Sequence, residues 1–185
     1  VGEGNVIFEV PVSLCLTSEK ATALFKSIGV TADKLRTRNI GLLALLILVE
    51  KYKGSASDYA AFIFSLPEQV PNILSWNDEQ VGLLEKSTTR DIRAQLSAID
   101  QDFAALLTLN TPLLPKDQFT EAEFKWAIGI VKDQMVILED GMPYVVPGLD
   151  VITIDPLSEI EATLQSTGIG LFGGKVVRVN ADKIY

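Results

Sequence analysis

Apolar residues recur along this chain with two different periods, and the switches between them divide it into three parts. The first part is β-prone. Asn5-Val6-Ile7-Phe8-Glu9-Val10 predicts a strand, with Pro11 ending it or pinning a bulge, and residues 14–16 predict a second short strand. A helical period then takes over. Thr17 reads as an N-cap, Ala21, Leu24, Phe25 and Ile28 recur in steps of three and four, and Gly29 occupies the closing C′ position. Residues 30–38 are polar and basic, with a further cap at Thr31 or Asp33. Residues 40–53 open on the run I-G-L-L-A-L-L-I-L-V and predict a buried helix ended by Gly54. The run is about ten residues long, half of what a membrane span needs.

Residues 55–57 read as a loop, and Pro67, Pro71 and Asn72 predict turns. Asn77-Asp78-Glu79 is a capping pattern opening a helix through Leu84. Thr88 or Thr89 caps a longer one over about residues 91–107, with Ile92, Leu96, Ile99, Phe103, Leu106 and Leu107 on its apolar face. Residues 110–116, with Pro112 and Pro115, form a linker. Thr120 and Glu123 then make a capping box whose helix runs to about Leu138, before Glu139-Asp140-Gly141 turns the chain. In the third part, short β-prone runs at 144–146, 151–154, 159–164, 168–172 and 175–179 are separated by Gly, Pro, Asp and Asn. This order predicts an α+β fold in which small β-sheets are formed by the chain ends around a large helical insertion. The expected organisation is one domain over 1–185, with a β-rich core at 1–17 and 142–185 and a mainly helical insertion at 18–141.

Composition narrows the chemistry. The chain has 185 residues, 48% apolar and 22% charged, which suits a packed core. Its net charge is −8 and no basic stripe stands out, so nucleic acid is not an expected partner. With one cysteine and no histidine, an internal disulfide, Ser-His-Asp and Cys-His catalysis and histidine-held metals are excluded. Cys15, in Ser13-Leu14-Cys15-Leu16, reads as a small buried hydrophobe. Asp150, Asp155, Glu159 and Glu161 read as loop and surface carboxylates, so no metal site is expected. Gly168-Ile169-Gly170 and Gly173-Gly174 read as turns around a hairpin, since no helix with Lys-Ser/Thr follows. Trp126, among Phe124, Ile128 and Ile130, is expected in the core. Trp76, ahead of its helix, is the candidate partner-binding residue.

Several strings, in order, resemble the Rubisco large-subunit methyltransferase branch of the SET-domain lysine methyltransferases. Gly4-Asn5-Val6-Ile7-Phe8-Glu9-Val10-Pro11 is similar to its G-E-x-(I/V)-x-x-V-P segment, and residues 43–53 to its L-x-x-E-K helix. Ser65-Leu66-Pro67 is similar to the end of its Y-x-x-x-L-P segment, and Ser75-Trp76-Asn77-Asp78-Glu79-Gln80 to F-W-S-x-E-E/Q. Phe124-Lys125-Trp126-Ala127-Ile128-Gly129-Ile130-Val131 resembles its F-x-W-A-x-G helix, and Val146-Pro147-Gly148-Leu149-Asp150 its (V/I)-P-x-x-D motif. The resemblance implies a SET core at the two ends of the chain, with the helical middle as the insertion typical of this branch.

It also implies where methyl-transfer residues belong. An arginine after the W-A-x-G helix contacts S-adenosylmethionine in the family, and Gln134 stands there, after Asp133. The family's Asn-His pair follows Asp150, and Thr153 and Ile154 stand in its place. Ile154 has no polar side chain, and Thr153 lacks the amide's paired donor and acceptor. The resemblance puts the family's G-x-G ahead of Val1, and its catalytic tyrosine and substrate-holding helical domain beyond Tyr185, which is not itself that tyrosine. The expected function is a non-catalytic SET-like interaction or scaffold protein without a cofactor, holding a protein partner in a larger assembly. The setting it implies is intracellular, a plastid or photosynthetic complex by family analogy. The alternative is an S-adenosylmethionine-dependent protein-lysine methyltransferase.

Overall fold

The computed structural model describes residues 5–84, 92–149, 159–167 and 174–183. The chain divides into two compact units, one from Val1–Thr17 with Gln134–Tyr185, the other from Ser18–Asp133.

The first unit holds two antiparallel sheets. β1 (Val6–Pro11) runs along β6 (Gly174–Lys183) in a register that pairs Val10 with Val177 and Pro11 with Val176. The bulge in this pairing lies between Val6 and Phe8 rather than at Pro11. Pro11 sits at the end of an edge strand, where its missing N–H costs least. β5 (Glu159–Thr167) pairs with the other side of β6, giving the order β1-β6-β5. The second sheet is β2-β4-β3, from β2 (Leu16–Thr17), β3 (Met135–Ile137) and β4 (Pro143–Val145).

Two predicted elements differ here. The strand expected at 14–16 is a 3₁₀ turn over Val12–Leu14, closed by Cys15 N–H donating to the Val12 carbonyl at 3.1 Å, and pairing begins at Leu16. Burial gives the reason: Leu14 is 56% exposed, and Leu16 is wholly buried. The helix expected to reach Leu138 stops at Gln134, and Met135-Val136-Ile137 crosses to the sheet opposite Val145, Tyr144 and Pro143. Its hairpin loop favours that outcome over another helical turn. Gly141 adopts a φ of +74°, which a side chain would resist. Asp140 accepts from the Met142 N–H at 2.9 Å and from the Tyr144 hydroxyl at 2.7 Å. These bonds, the tyrosine's first, hold the Asp140 carboxyl below its ordinary range. The core of this unit joins Val10, Cys15, Leu138, Tyr144, Val146 and Val177, so the lone cysteine packs as a small hydrophobe.

The second unit is helical. α1 (Ser18–Ser27) ends as the sequence predicts: Gly29 has φ +81°, and the N–H groups of Val30 and Gly29 donate back to the carbonyls of Phe25 and Lys26. After the short α2 (Ala32–Leu35) comes α3 (Asn39–Lys53), in which every residue from 41 to 50 is buried. A helix that is apolar all round must be enclosed, and α1 and α4 (Ala60–Ser65) pack against it. Its one buried carboxylate is satisfied: Glu50 accepts from Ser57 Oγ and Lys53 Nζ, both at 2.6 Å. α5 (Asp78–Leu84), α6 (Ile92–Leu107) and α7 (Glu121–Gln134) complete the unit. Phe103 of α6, Phe119 and Phe124 of α7 form a ring cluster with centroids 5.2–6.2 Å apart. No helix among the described residues is long and apolar enough to cross a membrane. The runs predicted at 151–154 and 168–172 and the caps at Thr88 and Thr89 lie outside the described residues.

Truncating a fully buried α3 side chain should be costly. Leu45→Ala is expected to destabilise the chain by about 2–5 kcal/mol in chemical denaturation, whereas Phe64→Ala, at a position 70% exposed, should change stability by less than about 0.5 kcal/mol. Tyr144→Phe should raise the Asp140 pKa toward the ordinary aspartate value in a carboxyl NMR titration.

Alkaline pH should act through Tyr52. Burial, and after it the charge of Glu123, hold its phenol above the ordinary tyrosine range. A raised folded-state pKa gives stability that is present below about pH 10 and lost as pH climbs past it. The wild-type Tm should fall more steeply from pH 9 to 11 than that of Tyr52→Phe. An equal slope would show that Tyr52 is not the group responsible.

Candidate functional site

The positions where the resemblance places cofactor contacts are only partly described. Gln134 is the last residue of α7 and is half-buried. Asp150, Thr153 and Ile154 lie outside the described residues. Among the described residues, no group of three His, Cys, Asp or Glu is placed to hold a metal ion.

A different site is built in the helical unit. The turn-rich stretch after α4 lies along the start of α7 and is pinned at two points. The Trp126 indole N–H donates to the Pro67 carbonyl at 2.9 Å. Farther along the helix, Gly129 leaves room for Asn72, whose amide nitrogen lies 2.1 Å from where a Cβ would stand. Asn72 is itself held, because its Oδ1 accepts from Leu74 N–H at 2.8 Å and so caps the 3₁₀ turn Ile73–Ser75. Between stretch and helix lies a cleft of about 850 Å³, with Val70, Leu74, Ala122 and Trp126 on its apolar walls and Glu68 and Lys125 among its charged ones.

Trp126 is therefore not the core residue its neighbours suggest. Phe124, Ile128 and Ile130 face inward, while Trp126 is half-buried and lines the cleft. The Lys51 ammonium sits 4.1 Å from its ring centroid and 2.8 Å from Glu123 Oε2. This contact engages the residue that would otherwise complete the capping box. Thr120 Oγ1 accepts from Glu123 N–H at 3.2 Å, and the Glu123 carboxylate turns to Lys51.

Lys125 has two acidic partners, Glu121 at 2.5 Å and Asp100 at 2.9 Å. Burial works against its charge, but the hydrogen bonds and charges of these two carboxylates outweigh it and hold the ammonium above the ordinary lysine range. It therefore stays cationic near neutrality and is suited to electrostatic positioning rather than to acting as a base or nucleophile. A smaller hollow of about 370 Å³ shares Leu74 and Lys125 with the cleft and adds Trp76, Asp78, Arg93 and Leu96. Trp76, the predicted partner residue, is 40% exposed. The helix start that follows it is fixed by a reciprocal cap: Gln80 N–H donates to Asn77 Oδ1 at 2.9 Å, and Asn77 N–H donates to Gln80 Oε1 at 3.0 Å. The arrangement offers apolar, aromatic and charged walls suited to binding.

No protein-family profile matches the chain, and no curated protein matches its sequence. Solved structures do match. The SET domain of LSMT bound to lysine and AdoHcy superposes with a TM-score of 0.69 at 19% identity, over 100% of this chain and 44% of that one. The SET domain of LSMT bound to methyllysine and AdoHcy gives 0.65 at 18% identity, over 99% and 43%. Rubisco LSMT bound to sinefungin and monomethyllysine gives 0.62 at 17% identity, over 99% and 42%. This chain thus spans less than half the length of each of those proteins. At such identities the likeness speaks for architecture: the chain has the α+β fold of a SET domain.

Proposed function

We propose that this chain is a SET-fold interaction module that has lost methyl transfer and holds a protein partner within a larger assembly. The observation that carries the reading is Gln134. α7 ends there, half-buried, where the resemblance places an arginine that contacts S-adenosylmethionine. A neutral carboxamide has neither the fixed charge nor the five-donor fork of a guanidinium. Thr153 and Ile154, in place of the family's Asn-His pair, support the same reading from the sequence. A plastid or photosynthetic assembly is the setting that the family analogy suggests for such a module.

A second reading is a protein-lysine methyltransferase using S-adenosylmethionine. It draws on the neighbouring SET structures, which hold lysine or methyllysine together with AdoHcy. Gln134 does not supply the positive charge that the resemblance assigns to its position, so no step of that reaction is assigned to residues of this chain. Calorimetric titration of the natural full-length protein with S-adenosylmethionine separates the readings. The interaction module should give no binding heat up to millimolar cofactor. Saturable binding in the micromolar range would overturn it in favour of the methyltransferase.

A further inference from the structure

The cleft and the smaller hollow adjoin at Leu74 and Lys125, and together they form a trough along one side of the helical unit. Its charge is lopsided. Among the described residues, four carboxylates line it, those of Glu68, Glu121, Asp78 and Asp100, against two cations, Lys125 and Arg93. Lys125 is already held by Glu121 and Asp100, and Arg93 reaches Asp78 at 3.8 Å. Glu68 is exposed, and no ion pair or hydrogen bond engages its side chain among the described residues. The trough thus combines an unengaged acidic end with apolar and aromatic walls.

The geometry points to an extended segment of a partner protein, carrying a lysine or arginine beside apolar residues, as the occupant of this trough. The basic group meets Glu68, and the apolar residues lie against Leu74, Trp126 and the exposed part of Trp76. A volume of about 850 Å³ is within the range of specific pockets and accepts a few side chains at once. Charge argues against other occupants. The surplus of carboxylates repels phosphate backbones and anionic lipid headgroups, and a second copy of a chain with net charge −8 would bring like charge to like. The inference deepens the interaction reading above and rests on it in supposing a protein partner. It does not depend on whether cofactor binding is retained.

The test uses the full chain without S-adenosylmethionine and two fluorescein-labelled degenerate peptide pools. One fixes arginine three positions before leucine, and the other replaces that arginine with glutamate. Fluorescence anisotropy should show saturable binding of the arginine pool and none of the glutamate pool, with the affinity falling as salt is raised. Glu68→Lys should weaken the arginine pool by about five-fold or more, and Trp76→Ala by about ten-fold. Both positions are solvent-accessible, so the variants should keep the wild-type circular dichroism and Tm. Equal binding of the two pools, no binding of the arginine pool, or affinities unchanged in both variants would overturn the proposal. So would a dimer in sedimentation that Trp76→Ala dissolves, because a second copy would then be the occupant. The calorimetric titration reads cofactor binding alone, so a failed trough and a failed interaction module give different results.

Discussion

β1 lies beside β6, and the Glu9–Arg178 ion pair across them joins positions 169 apart in sequence. Bringing such distant segments together costs roughly 4–5 kcal/mol of chain entropy on a flexible-loop estimate. Val10, Val177 and Val179 are buried at this seam, and each contributes about 1.5–3 kcal/mol. The second sheet eases the closure. β2 ends where the helical unit begins and β3 starts where it ends, and both pair with β4. The long middle of the chain is thereby an excursion between two strands of one small sheet.

Within that excursion the trough is held by constraints of a different kind. Its shape depends on a loop fastened to a helix by one indole hydrogen bond and by a carboxamide seated over Gly129. Its charge depends on Lys125, which two carboxylates balance, and on Glu68, whose side chain no ion pair or hydrogen bond engages among the described residues.

Much of the architecture was legible in the residues because it was written locally. Gly29 and Gly54 mark helix ends by their positive φ, the uncharged run in α3 announces enclosure, and Asn77 with Gln80 forms a cap from neighbouring positions. Local signals misled where a long-range partner decided. Met135-Val136-Ile137 continues the helical stretch before it, yet its β-branched residues abut Glu139-Asp140-Gly141, and pairing with β4 takes them. Trp126 has apolar neighbours at helical spacing, but Pro67, distant in sequence, accepts its indole proton and sets it on a surface. The cleft itself joins residues 68–75 to residues 121–126, which no local pattern connects. The proline and asparagine turns of the first stretch and the capped helix they lean on are each visible in the residues, and the contact between them is not.

The enclosed helix α3 has a consequence before folding is complete. From Ile40 to Val49 the chain carries no charge, and its β-branched and leucine side chains would be as content in a cross-β stack as in a helix. Until α1 and α4 close over it, this window is prone to self-association and attractive to chaperones that grip apolar segments. Its flanks carry the natural counter-measure. Arg36 and Arg38 precede it and Lys51 and Lys53 follow, so two chains aligning their apolar runs in register would also bring four cations against four. Two of those flanking charges also serve the finished fold, Lys53 through the buried Glu50 and Lys51 through Glu123 and the Trp126 ring, so the same residues guard the journey and hold its end point.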